Sequence, residues 1–252
     1  MADTQQLCHA TDLSRDQVNR MLEFFDTLAP DAILARLPFH LPKPGLRGRS
    51  PTVYTLGDLG AALLRANDHP NAHPCGLSDA NPLSHARATL DVRLAALDAG
   101  LTVQTESPLS YGQDRSLRPD NLVTLPSSTR ALFETEQEAD STLLRRIVDS
   151  LRNKAAFFQS KAGRQVSPTV RVLVNLPLGR AWERTIQTWE RAVAIVADEN
   201  RGRPPFQIVA HPLASFLDRP DWGEPPDPQR WESLFDPAQS ASFALQPSPS
   251  QD

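Results

Sequence analysis

Arg118-Pro-Asp-Asn-Leu-Val-Thr-Leu125, a break at Pro126-Ser-Ser-Thr129, then Arg130-Ala-Leu-Phe-Glu-Thr-Glu136 form the stretch around which the chain is organised. Two short apolar runs around a Pro/Ser/Thr break predict a β-hairpin with a loop longer than the tightest turns. Asp120 opens the first strand directly after Pro119, and Glu134 and Glu136 close the second. Side chains alternate faces along a strand. Leu132, Glu134 and Glu136 therefore share one face, with Ala131 and Phe133 on the other. Carboxylates on one face repel each other and resist desolvation, so they need water, a cation or a basic partner. One reading is a solvated hairpin end. The other is a site in which Asp120 and Glu134 hold Mg²⁺, which takes one or two carboxylates together with waters and phosphate oxygens and can activate water against a phosphodiester.

Composition narrows the choice. The chain of 252 residues is long enough for one large or two small domains, and 40% hydrophobic residues support a real core. A net charge of −4 gives no global attraction to nucleic acid, so a DNA partner requires a local basic patch. Cys8 and Cys75 make no disulfide framework, which suits a reducing cytoplasm. No apolar run approaches a membrane span and the N-terminus lacks a signal-peptide pattern, so no membrane partner is expected.

Residues 1–66 read as a winged helix. Gln5–Ala10 predicts a short helix, and Ser14-Arg-Asp-Gln17 is a capping box opening a second helix with Val18, Met21, Leu22 and Phe25 at helical spacing. A strand at Ile33–Leu37, a basic loop, a strand at Thr52–Leu56 and a helix at Gly57–Ala66 follow. Between Asp31 and Ala66, five basic residues (Arg36, Lys43, Arg47, Arg49, Arg65) stand against two acids (Asp31, Asp58). Lys43, Arg47 and Arg49 on the wing are expected to neutralise phosphates, and Arg15, Asn19 and Arg20 on the capped helix to enter a major groove of double-stranded DNA. The alternative is a winged helix used for protein contacts. A winged helix ordinarily has one more helix ahead of the first. Here Met1 leaves almost no room for it, so the domain is expected to be truncated or completed by another subunit.

Residues 67–82, with Pro70, Pro74, Gly76 and Pro82, read as a linker. His69, His73, Cys75, Asp79 and His85 near it match no compact zinc spacing. Residues 83–211 then read as one α/β domain. Leu83, Ala86, Leu90, Leu94 and Leu97 form a helical stripe stopped by Gly100. A strand at Leu101–Glu106 precedes the hairpin. A long helix runs from Asp140 with Leu144, Ile147, Val148, Leu151, Ala155 and Phe158 as its stripe. A buried-type strand lies at Arg171–Leu176, a helix at Ala181–Asp198 and a strand at Phe206–Ala210.

The resulting order, α-β-β-β-α-β and then α-β, resembles the αβββαβ core of the restriction-endonuclease-like fold. In that superfamily an acid opens the second strand, often after Pro, and a second acid on the third strand is followed two residues later by Lys. Pro119-Asp120 and Glu134-Thr135-Glu136 are similar in order and spacing, with Glu136 standing where Lys is expected. Some members supply that Lys from the next helix. Lys154, on the flank of the stripe, is the candidate; its plain alternative is a surface lysine with a buried stem.

The chain from Gln5 to Ala210 also resembles the replication-relaxation family of bacterial plasmid and mobile-element proteins. The resemblance rests on the winged-helix-like start, Arg49-Ser-Pro-Thr-Val-Tyr-Thr-Leu56 before a helix, Leu83-Ser-His-Ala86, Arg-Pro-Asp120, Phe-Glu-Thr-Glu136, and Asn153-Lys154 ahead of Phe157-Phe158. It implies work on DNA in replication, relaxation or transfer, with a relaxase or replication protein, or a second copy in a homodimer, as partner. In a nuclease of this kind Asp120 and Glu134 would bind Mg²⁺, Glu136 would act through a metal-bound water, and Lys154 would orient the nucleophile. The missing Lys at 136 favours weak or absent catalysis. An active Mg²⁺-dependent endonuclease and a repressor with a ligand-binding or dimerising α/β domain stay open. Residues 212–252, rich in Pro, are expected to be irregular, pinned by Phe216, Trp222 and Trp231, with the last dozen residues disordered.

Overall fold

The computed structural model describes residues 2–37, 52–70, 72, 74, 80–137, 143–176, 178–200 and 205–235. The expected wing residues Lys43, Arg47 and Arg49 lie outside the described residues, as do His73, Cys75 and Asp79 of the linker and everything beyond 235. The chain divides into two compact units, Met1–Leu94 and Ala95–Asp252.

In the first unit β1 (Ala2–Asp3) leads into α1 (Thr4–Thr11) and α2 (Arg15–Leu28), followed by β2 (Leu34–Arg36), β3 (Val53–Leu56) and α3 (Asp58–Ala66). Ser14 caps α2 through the reciprocal bonds with Gln17 that the sequence predicts. The strands form one antiparallel sheet in the order β1-β3-β2. Gly57 and Gly60 let α3 sit on the backbone of residues 32 and 33. A Cβ on Gly60 would meet Ile33 O at 2.2 Å, and the Leu59 and Gly60 amides both donate to Ala32 O, at 2.9 and 3.1 Å.

A further helix completes this unit from the C-terminal side. The helix α4 spans Ala80–Asp98, and its residues up to Leu94 belong to the first unit. Arg87 Nη2 pairs with the buried Asp3 at 2.7 Å, and Gln6 Nε2 donates to Arg87 O and to Asp91 Oδ1, at 3.2 and 2.6 Å. The N-terminal end of the chain, at Asp3 and Gln6, is thus tied to α4. The buried stripe of α4 matches the expected one in part: Leu94 is buried as expected, Ala88, Val92 and Ala96 are buried as well, and Leu97 is exposed. Small residues four apart allow a close approach, and the larger leucines flank the contact. Burial raises the carboxyl pKa of Asp91 above its usual value, against the opposing hydrogen bond from Gln6.

In the second unit β4 (Thr102–Thr105) is followed by a small hairpin, β5 (Leu109–Gly112) and β6 (Arg115–Leu117), which the sequence reading did not contain. Next come β7 (Asn121–Thr124), β8 (Arg130–Glu136), α5 (Leu143–Gln159), a 3-10 turn at Gly163–Gln165, β9 (Val166–Val174), α6 (Arg180–Glu199) and β10 (Gln207–Pro212). The main sheet has the order β11-β10-β9-β8-β7-β4, where β11 is Glu232–Phe235. The strands β4, β7 and β8 form an antiparallel meander, β8, β9 and β10 run parallel, and β11 returns antiparallel at the edge. The fold is mixed α/β, as expected.

One face of the sheet packs on α5 and α6 through Leu132, Val170, Val172, Val174 and Ile208 against Ile147, Leu151, Phe158, Trp189 and Val193. Among the described residues the other face carries no long helix of the second unit. The short helix α7 (Leu213–Asp218) and the segment 219–231 cover it, with Phe216 and Trp231 buried and Phe133 contacting both and Trp222. The expectation that this region is wholly irregular is corrected by α7 and β11. Under it lies Arg171 of β9, 0% exposed. Its guanidinium donates to Asp221 O and Gly223 O, pairs with Glu224 at 3.0 Å, and stacks 5.2 Å from the centre of the Phe133 ring. Burial pushes this guanidinium pKa down, opposed by the charges of Glu224 and Asp221.

Candidate functional site

The acids stand where β7 begins and β8 ends. Asn121 pairs with Phe133 across the hairpin, so Asp120 comes level with Glu134. Asp120 Oδ2 accepts hydrogen bonds from the Thr135 amide at 2.7 Å and the Thr135 hydroxyl at 2.9 Å. The Asp120 carbonyl accepts from the Glu106 amide at 3.1 Å, which ties β4 to the same place. The strand alternation places Glu134 and Glu136 with Leu132 on the helix-packed face, and Phe133 is buried on the other.

Lys154 is brought to these acids by α5. The buried stripe of that helix includes Ile147, Leu151, Lys154 and Phe158, so the lysine sits inside the stripe. It is 2% exposed, its Nζ lies 3.1 Å from Glu134 Oε1, and it donates to Ser150 Oγ at 2.7 Å. A surface lysine with a buried stem is therefore not what the fold contains. An ammonium can stay charged when removed from water only if it is paired and hydrogen-bonded, and the carboxylate and hydroxyl supply both. Glu136 makes a separate pair, with Arg146 Nη2 at 3.3 Å, and accepts from the Gln137 amide at 2.9 Å.

Asp120, Glu134, Glu136 and Lys154 thus occupy one end of the sheet, each carboxylate with its own donors. Among the described residues no group of three or more His, Cys, Asp or Glu side chains is placed to hold a metal ion. The hard oxygen donors of Asp120 and Glu134 suit Mg²⁺ chemically. A dication at Glu134 would nevertheless have to compete with an ammonium 3.1 Å away. That competition is absent from the sequence pattern, which shows three acids and leaves the direction of Lys154 open.

Comparison with known proteins gives no match to a family model, a curated protein or a solved structure.

In the first unit Arg15, Asn19 and Arg20 of α2 are exposed; Arg20 stands opposite the buried Val18 and Leu22, whereas Arg15, in the first turn, lies on their side of the helix. Arg20 Nε donates to Asp16 O at 3.3 Å, which leans its side chain back along the helix. Arg36, at the end of β2, is paired with Asp26 at 3.2 Å and holds the strand to α2.

Sequence reasoning missed the β5–β6 hairpin beside the acids. Tyr111 donates its hydroxyl proton to Asn153 Oδ1, and Asn153 Nδ2 donates to Ser116 O at 3.3 Å, so one side chain of α5 grips both hairpin strands. Tyr111 also stands edge-on to Phe157, 5.6 Å between ring centres. Asn153 faces the hairpin and its neighbour Lys154 faces the sheet. The signal was present in the Gly112-Gln-Asp114 turn between short alternating runs.

Proposed function

We propose that the chain is a DNA-binding protein of plasmid or mobile-element replication, relaxation or transfer, related to the replication-relaxation family. In this reading its first unit is a winged helix that presents α2 to duplex DNA. Its second is a restriction-endonuclease-like domain in which nuclease chemistry is weak or absent. The observation that carries the reading is Lys154 Nζ at 3.1 Å from Glu134, level with Asp120 at the end of an antiparallel meander. Acid, acid and lysine come together although position 136 holds Glu. The β1-β3-β2 sheet around α1 and α2, with α4 as the additional helix, supports the winged-helix part.

Weak chemistry follows from the same geometry. Lys154 neutralises Glu134, Thr135 engages Asp120, and Arg146 engages Glu136. Mg²⁺ binding at Asp120 and Glu134 must displace the ammonium, so the ion binds weakly. The active-endonuclease reading draws on the same Lys154 and differs in requiring the ammonium to leave Glu134 when metal and DNA arrive.

DNA binding is tested with a labelled duplex and the full chain. Arg15→Ala with Arg20→Ala is expected to weaken affinity roughly tenfold near physiological salt, and to shallow the log K against log[salt] slope by about 0.9 for each phosphate that is no longer neutralised. Both residues are exposed, so the fold should hold. Wild-type binding with no change in the double variant would remove α2 from the interface, and no binding by the wild type would remove the reading.

A further inference from the structure

The chain approaching Asp120 has one exposed side. From Ser116 to Asn121 burial alternates strictly: Ser116 and Arg118 are exposed and Asp120 half-buried, while Leu117, Pro119 and Asn121 are buried. Residues 118–120 link β6 of the small hairpin to β7 of the main sheet, with a bend at Asp120, and Pro119 fixes its own backbone torsion. Residues two apart span at most about 7 Å of chain, so Ser116 and Arg118 can reach neighbouring phosphates of one nucleic-acid strand. Ser110, paired with Ser116 across the hairpin, is exposed as well. Hydroxyl, guanidinium and carboxylate thus follow one another along one side, ending at the acid site.

This side is held in place before any ligand arrives. Asn153 grips both hairpin strands, Leu117 is buried in the core, and Tyr111 packs on Phe157. Arg118 has no ion pair or hydrogen bond among the described residues, in contrast to Arg146 and Arg152 of α5, which are paired with Glu136 and Glu199. An arginine on a fixed backbone without a carboxylate partner loses little freedom on gripping a phosphate and has no internal bond to break first.

We propose that Ser116 and Arg118 form a phosphate track that lays one strand of a DNA duplex alongside Asp120. Arg118 neutralises one phosphate and the Ser116 hydroxyl donates to its neighbour. Contacts of this kind position a backbone and carry no base sequence. The inference rests on the DNA-binding reading above and assigns the second unit a share of the contact.

The test is the salt dependence of duplex binding by the full chain. Between about 50 and 200 mM salt, Arg118→Ala should shallow the slope of log K against log[salt] by about 0.9, and Arg118→Lys should keep the wild-type slope. Arg164→Ala is the control. Arg164 is exposed just ahead of Val166, which pairs with Arg130 at the opposite end of β8 from the acids, so its removal should leave the slope unchanged. Equal slopes for wild type and Arg118→Ala, or an equal change in Arg164→Ala, would overturn the track while leaving DNA binding intact. Failure of the wild type to bind duplex at all would overturn both.

Discussion

Lys154→Ala is expected to destabilise the second unit by about 3–5 kcal/mol, the cost of leaving one charge of a buried pair without its partner. Lys154 is 2% exposed and the Glu134 side chain 14% exposed, so little water is at hand to replace the ammonium. At about 2–4 °C per kcal/mol for a unit of this size, the melting temperature should fall by roughly 10 °C. The effect separates into charge and packing. Lys154→Met combined with Glu134→Leu removes both charges and keeps most of the volume, and apolar replacements of buried pairs are often neutral or stabilising. This double variant should recover most of the stability. An unchanged melting temperature in Lys154→Ala would mean that the ammonium is solvated and the pair carries no weight.

The second large effect is expected at Arg171. Arg171→Met should cost about 3–5 kcal/mol and detach the segment 219–231 from the sheet. The guanidinium is the hub of that segment: Asp221 O, Gly223 O and Glu224 all bond to it. Detachment is visible as a red shift in tryptophan emission, because Trp222 and Trp231 pack on Phe133 and Phe216. Acid should loosen the same segment. Burial alone would raise the pKa of Asp221. The amides of Asp227 and Gly223 and the Trp231 indole outweigh it and hold the carboxyl below its usual 3.8. A carboxyl lowered by folding stabilises above its unfolded pKa and loses that contribution as pH falls through the lowered value. The red shift should therefore appear on acidification below about pH 4, and Asp221→Asn should show part of it at neutral pH. Emission insensitive to Arg171→Met would show that the aromatic contacts alone hold the segment.

Much of the architecture was legible because strong local signals agreed with the fold. The Ser14 capping box, the Pro/Ser/Thr break at 126–129 and the apolar stripe of α5 each specify one element, and each formed. The beginning of β9 was not legible. Pro168 argues against a central strand, yet the strand runs from Val166 because Pro168 falls where the β8–β9 register shifts, in a bulge that needs no amide there. The stripe of α4 was only partly legible because leucines dominate hydrophobic periodicity: Leu94 is buried, but so are Ala88, Val92 and Ala96, and Leu97 is exposed. The edge strand β11 has no pattern of its own; it forms by pairing with β10. At the site, order and spacing located the acids. Whether Lys154 points to solvent or to Glu134 depends on the rotation of α5 about its axis, which packing sets.

Plasmid nicking distinguishes the proposed nuclease-like, DNA-binding domain, with Lys154 held on Glu134, from an active endonuclease. Supercoiled plasmid is incubated with the full chain and Mg²⁺ or Mn²⁺ at protein concentrations that saturate binding. The expected result is a retarded plasmid that stays supercoiled, with nicking slow or undetectable and no faster than in Asp120→Asn. Rapid metal-dependent nicking, abolished in both Asp120→Asn and Lys154→Ala, would contradict it.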